Sequence, residues 1–111
     1  MDVIGTDEFE AWFLGLDLGD AQAVDRVVGL LEAKGVALGH PHSSAIKGWS
    51  HAIRELRVQS GGRPLRVFYA FDPARDAVLI LGGDKTGDDR FYERMKRPVE
   101  AIWKQYLEEQ P

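Results

Sequence analysis

The chain contains no cysteine. It can therefore build neither a disulfide framework nor a thiolate metal site, which fits a reducing compartment. No apolar stretch approaches the roughly 18 residues that a membrane-spanning helix needs. The N-terminus, Met1-Asp2-Val3-Ile4-Gly5-Thr6, has neither the basic start nor the apolar run of a signal peptide. The expectation is a soluble cytoplasmic protein with no membrane partner. There is no repeat, linker or low-complexity tract, and 111 residues are too few for two cores, so residues 1–111 are read as one domain. Positive charge is also in the minority, with 14 Lys and Arg against 18 Asp and Glu for a net of −4. Taken over the whole chain, that balance speaks against a nucleic-acid partner.

The distribution of charge speaks differently. Residues 1–40 carry 8 acidic and 2 basic side chains, whereas residues 41–70 carry 1 acidic and 5 basic. Local field, rather than total charge, decides whether an anion is drawn into a cleft. The basic segment coincides with a hairpin signal: Ile53-Arg54-Glu55-Leu56-Arg57-Val58, then Ser60-Gly61-Gly62-Arg63, then Leu65-Arg66-Val67-Phe68-Tyr69-Ala70-Phe71. Gly-Gly between alternating apolar runs supplies the two positive-φ positions of a tight turn. A turn centred there sets Leu56 against Val67, Val58 against Leu65, and Arg57 against Arg66. The apolar residues then share one face, while Glu55, Arg57 and Arg66 share the other. Like charges directly opposite each other destabilise a sheet. The arginine pair thus points to an anion, with phosphate the obvious candidate, or else to a solvated surface that Glu55 neutralises.

Along the chain, Val3-Ile4 reads as a short strand. Asp7 is placed to cap a first helix, with Glu10 in the capping-box position and an apolar stripe of Phe9, Trp12, Phe13 and Leu16. A second helix runs from about Asp20, with Val24, Val27, Val28 and Leu31 on one face and Gly35 ending it. Residues 38–50 are irregular, with a short strand expected at Ala45-Ile46-Lys47. Asp72-Pro73-Ala74-Arg75-Asp76 is a turn. Val78-Leu79-Ile80-Leu81 has no polar alternation and reads as a central strand covered on both faces, with Gly82 to Gly87 as a loop. A last helix carries Phe91, Met95, Val99, Ile102, Trp103 and Tyr106, with Pro98 inside it, where a kink or a division in two is expected. The class is α+β: two N-terminal helices, a small and mostly antiparallel sheet, and a C-terminal helix kinked at Pro98.

This order of elements, with Glu55-Leu56-Arg57, the glycine turn, Leu65-Arg66-Val67-Phe68-Tyr69, the Leu79-Ile80-Leu81-Gly82 strand and Lys85, resembles the RelE superfamily of bacterial toxins. Glu-Leu-Arg-Val and Gly-Gly-Asp-Lys-Thr-Gly-Asp-Asp-Arg-Phe-Tyr-Glu make it most similar to the HigB-like, phage-related branch, over nearly the whole chain. The resemblance implies a RelE-like fold and the toxin of a type II toxin–antitoxin system. It implies an mRNA interferase that acts on ribosome-bound message and is held inactive by an antitoxin, a helix-turn-helix protein. In such endoribonucleases a ribose 2′-hydroxyl attacks the adjacent phosphate, with no metal and no cofactor. The alternative is a non-catalytic RNA- or protein-binding module of the same fold that has lost turnover.

The chemistry asks for a group to take the 2′-proton, cations for the charged phosphorane, and an acid for the leaving 5′-oxygen. Arg57 and Arg66 suit the second task as permanently charged forks. Lys85, in the loop before the last helix, matches a basic position of the family. Tyr92 matches a position where some RelE-type toxins carry a functional tyrosine; nearby cations are expected to lower its pKa, or it packs beside Phe91 and Met95. Glu55 is either a general base or a charge-balancing carboxylate. Some members of the family carry two lysines where this chain has Arg54-Glu55-Leu56-Arg57, and arginine exchanges protons poorly. The register places Arg54 on the core side, near the sheet edge. Arg54, Lys47, His51 and Trp49 are the candidates for touching RNA, Lys47 otherwise being a solubilising lysine and Trp49 a packing residue. His51 is also the histidine best placed to serve as an acid or base. His40, His42 and His51 lack metal-site spacing, and Gly82-Gly83-Asp84-Lys85-Thr86 lacks the glycines of a Walker loop.

Overall fold

The structure is a computed structural model and describes residues 1–110. The elements run β1 (Val3–Gly5), α1 (Asp7–Leu14), α2 (Leu18–Lys34), a 3-10 turn (Gly35–Ala37), β2 (Ser43–Ala45), β3 (Arg54–Ser60), β4 (Arg63–Phe71), β5 (Ala77–Asp84) and α3 (Phe91–Glu109). Five strands form one sheet in the order β1-β5-β4-β3-β2, in which β1 pairs parallel to β5 and every other pair is antiparallel. Among the described residues no helix is long and apolar enough to cross a membrane.

Gly61 and Gly62 turn the β3–β4 hairpin at φ 57° and 79°, the left-handed values such a turn demands. They fix the register anticipated from the sequence: Leu56 opposite Val67, Arg57 opposite Arg66, Val58 opposite Leu65. With period-two alternation, Leu56, Val58, Leu65, Val67 and Tyr69 all pack toward Val24, Val27 and Leu31 of α2 and Phe9 of α1. Phe68, Ala70, Val78 and Ile80 point the other way, onto Phe91, Met95, Val99 and Trp103 of α3. Each fully buried aliphatic or aromatic side chain contributes about 1.5–3 kcal/mol. The sheet is therefore covered on both faces, and the strand through Val78–Leu81 is central.

Several boundaries differ from the sequence reading. Thr6, rather than Asp7, caps α1: its hydroxyl accepts from the Phe9 amide at 3.0 Å and donates to the Ile80 carbonyl at 2.7 Å. Ile80 sits at a bulge, since Phe68 pairs with Leu81 while Tyr69 pairs with Leu79. The Thr6 hydroxyl thus serves both a helix end and an interrupted ladder. Glu10 consequently holds no capping-box place. The second helix begins at Leu18 under an Asp17 cap, which frees Asp20 for a different role. The short strand is Ser43–Ala45 rather than residues 45–47, paired to Arg54–Leu56.

Gly82 and Gly83 lie inside β5 and not in a loop. A side chain at Gly82 would collide with the Trp12 indole, and one at Gly83 with Phe91, so the two helical layers close directly onto bare backbone. The last helix is one element with Pro98 inside it, not two helices. Proline removes its bond to the Arg94 carbonyl, and both residues lie on the exposed side.

Candidate functional site

Glu55, Arg57 and Arg66 emerge together on the α3 face of the hairpin, and α3 supplies the fourth member of the group. Glu55 is 4% exposed and Arg66 is 9% exposed. Tyr92, in the first turn of α3, donates its hydroxyl to Glu55 Oε1 at 2.6 Å. Arg66 Nε lies 3.2 Å from the same oxygen and donates to the Tyr92 hydroxyl at 3.4 Å. The second oxygen, Oε2, accepts from the Ser44 hydroxyl at 3.2 Å, with Arg57 Nη2 at 3.8 Å. A buried carboxylate is stable only when its lone pairs are met in this way. Glu55 is thus the anion around which the two arginines and the tyrosine are arranged.

The two arginines differ in what remains free. Arg66 is committed, since its Nη1 also donates to the Leu65 carbonyl at 3.1 Å. The side chain of Arg57 is 40% exposed, and its Nε is buried without a partner among the described residues. An orphaned buried donor is uncommon in proteins. Lys85 joins from the turn after β5: its amide is tied to the Pro64 carbonyl at 2.9 Å, and its Nζ stands 5.7 Å from the centre of the Tyr92 ring. A cleft of about 480 Å³ opens here, bordered by Pro64, Lys85, Asp88 and Tyr92.

The expectation for Tyr92 is reversed. Burial pushes its pKa up, the bond to Glu55 pushes it further, and Arg66 only partly opposes them. The phenol is therefore held in its protonated form. Burial is the larger cause, and the nearest strong partner adds to it because it is the carboxylate and not a cation.

Of the remaining sequence candidates, Trp49 stacks on Phe68 at 5.4 Å between ring centres, and Phe68 meets Tyr92 edge-on at 6.3 Å. The half-buried Trp49 indole thus lines the same face of the sheet, with one side given to packing. His51 is bound to α3, its amide donating to Glu100 Oε1 at 3.0 Å and its ring nitrogen lying 3.4 Å from that oxygen. Burial works to raise the Glu100 pKa, but the His51 and Ser50 bonds hold it below the ordinary carboxylate value. Arg54 stands on the opposite face, where Nε donates to the Tyr69 hydroxyl and Nη2 to Ser43, each at 3.2 Å. Lys47 is exposed in the loop before β3. Among the described residues no group of three His, Asp or Glu is placed to hold a metal ion.

The sequence reading missed two supports. Ser44 reaches Glu55 because the short strand β2 sets the two residues directly opposite each other. Arg63 bridges Asp20 of α2 and Asp84 of β5, the latter at 3.0 Å, and Ser60 also donates to Asp20, at 2.6 Å. Asp84 in turn accepts from the Thr86 amide and hydroxyl, at 2.9 and 2.6 Å, which shapes the turn that carries Lys85. No local pattern marks Asp20, 43 residues from its arginine.

Residues 11–104 match the family described as phage-derived protein Gp49-like. The chain is 39% identical over 95 residues to "Putative toxin HigB3" of Mycobacterium tuberculosis, covering 84% of this chain and 82% of that protein. It is 33% identical over 104 residues to "Putative toxin HigB2" of the same organism, covering 91% of this chain and 52% of the relative, so it spans about half that protein's length. No solved structure matches the chain. The chain belongs to the Gp49-like family, a HigB-like member of the RelE superfamily.

Proposed function

We propose that this member of the Gp49-like family is the toxin of a type II toxin–antitoxin pair and acts as an endoribonuclease on messenger RNA at the ribosome. The relatives' toxin names support the first part. The observation that carries the second is the pair Arg57 and Arg66, directly opposite in register on one face and joined by Tyr92 and Lys85. Arg57 and Lys85 present cations to a phosphate, while Arg66 adds one held by Glu55 and the Leu65 carbonyl, an arrangement suited to a pentavalent phosphorane. In the reaction the 2′-oxygen bonds to phosphorus and the bond to the 5′-oxygen breaks, leaving a 2′,3′-cyclic phosphate. The proton lost by the 2′-hydroxyl passes to solvent water, and the 5′-oxygen gains one, the donor then recovering its proton from solvent. Tyr92, protonated and beside the cations, is the donor to the leaving oxygen. Glu55, enclosed by Tyr92, Ser44 and the two arginines, balances charge and orients the phenol. Trp49, His51 and Lys47 extend the RNA-facing side, and Arg54 stays with its own face. The partner is a helix-turn-helix antitoxin that neutralises the toxin, and no metal or other cofactor enters.

One observation favours a second reading, a module that grips RNA without cutting it. Arg57 and Arg66 do not exchange protons, and Glu55 is already saturated. Controlled expression of the wild type, Arg57→Ala and Lys85→Ala separates the two, with mapping of mRNA 5′ ends. New in-frame cleavage sites and growth arrest, both lost in the two variants, establish the nuclease. Soluble wild-type protein that arrests nothing and cuts nothing establishes the binding module.

A further inference from the structure

The hairpin has a second cleft. The strand β2 pairs only with Arg54–Leu56, and the Arg57 amide donates to the His42 carbonyl at 2.9 Å. Among the described residues no strand pairs with the outer side of β3 beyond Arg57. A space of about 470 Å³ opens over this free edge. Val27 and Leu30 of α2 and Pro64 of β4 form its apolar wall; Arg26 of α2 stands at the rim, and Arg57 and Arg66 close it from the strands. The cleft therefore shares both arginines with the cluster around Glu55. The buried Nε of Arg57 is a hydrogen-bond donor with no acceptor among the described residues.

A ligand for this space must carry negative charge at one end, for the arginines, and a flat or apolar body for the wall. Free inorganic phosphate meets only the first condition, and an apolar peptide side chain only the second. A nucleotide meets both. The volume falls in the range of small-molecule pockets, about 300–1,000 Å³. A guanidinium plane, like an aromatic ring, is a surface on which an unstacked base can stack.

We propose that this cleft is a nucleobase subsite, receiving a base next to the phosphate gripped by Arg57 and Arg66. The inference rests on the reading of those two arginines as a phosphate grip. The base lies against Leu30 and Val27 under the Arg26 guanidinium, and Arg57 Nε donates to the ligand at the junction of base and phosphate. This subsite gives the protein a means to prefer some bases over others at that position.

The test is an NMR titration of the full chain with the four nucleoside 5′-monophosphates, with ribose 5-phosphate, and with inorganic phosphate. Arg26→Ala and Leu30→Gln are titrated alongside; Arg26 is exposed, so its variant keeps the fold if the half-buried Leu30 change does not. The expected result is at least one nucleotide binding tenfold or more tighter than ribose 5-phosphate, with amide shifts at Val27 and Leu30. That advantage should fall below threefold in Arg26→Ala while phosphate binding persists. Equal affinity for nucleotides and ribose 5-phosphate, with phosphate still bound, overturns the base subsite and leaves the grip standing. A wild-type chain that binds neither phosphate nor nucleotide overturns both.

Discussion

The phenol of Tyr92 donates to the buried carboxylate of Glu55 across 2.6 Å, joining the first turn of α3 to the start of β3. That bond decides what the tyrosine can do. Burial and the Glu55 acceptor both hold the phenol protonated, so it is a donor at neutral pH and not a base. Tyr92→Phe should keep the fold, with a loss of about 1 kcal/mol for one hydrogen bond. It should lower cleavage about 10²–10⁴-fold, the usual weight of a general acid. Cleavage rates on purified ribosome complexes, beside urea unfolding curves, check both parts. Undiminished cleavage removes Tyr92 from the chemistry.

The same bond predicts behaviour in alkali. A tyrosine whose folded pKa is raised binds its proton more tightly in the native state. Its contribution to stability is complete below the unfolded value of about 10 and is lost as pH rises through the folded value. Tyr106 is shifted in the same direction, first by burial and then by Asp72. The urea midpoint of the wild type should therefore decline above about pH 10 more steeply than that of Tyr92→Phe. Parallel declines would show that neither burial nor the Glu55 bond perturbs the phenol in the folded protein.

Glu55 separates two roles that share one position. As the acceptor that orients the Tyr92 phenol, it needs only to accept a hydrogen bond, and Glu55→Gln keeps that acceptor. As a base, it needs its charge, and the same change ends catalysis. The enclosure of Glu55 by Tyr92, Ser44 and Arg66 leads us to expect that Glu55→Gln retains most cleavage. Glu55→Ala should be far worse for the fold, because it strands the 9%-exposed Arg66; unpairing a buried ion typically costs about 3–5 kcal/mol. Chemical denaturation of the two variants, with cleavage measured on the folded one, decides the matter.

Much of this arrangement is legible in the sequence itself. Gly61-Gly62 and the alternation on either side dictate the hairpin register, and with it the facing arginines and the side taken by Glu55. Such information is local, because turn chemistry and the pleat determine it within about twenty residues. What is not legible depends on distant segments meeting. The tyrosine's shift reflects how deeply α3 buries it. The place of Gly82 and Gly83 inside a strand reflects Trp12 and Phe91 pressing on the backbone from both sides. Thr6 takes the cap from Asp7 because its hydroxyl also satisfies the carbonyl at the Ile80 bulge, a demand invisible from the helix alone.

Arg63 offers a test on the acid side. Its guanidinium hydrogen-bonds Asp20, and this bond, followed by that from Ser60, holds the Asp20 carboxyl below its ordinary pKa. A carboxylate depressed in the folded state adds stability that is present above the unfolded pKa, about 3.9, and lost as pH falls through the folded value. Arg63→Met keeps the aliphatic stem and removes the charge. The wild type should therefore be more stable than the variant at about pH 6, and the gap between their urea midpoints should narrow as pH approaches about 3. Because Arg63 also binds Asp84, which shapes the Lys85 turn, the variant should bind inorganic phosphate more weakly at neutral pH than the wild type. A gap that stays constant with pH would mean that the bridge does not perturb Asp20. Unchanged phosphate affinity would mean that Lys85 holds its place without the bridge.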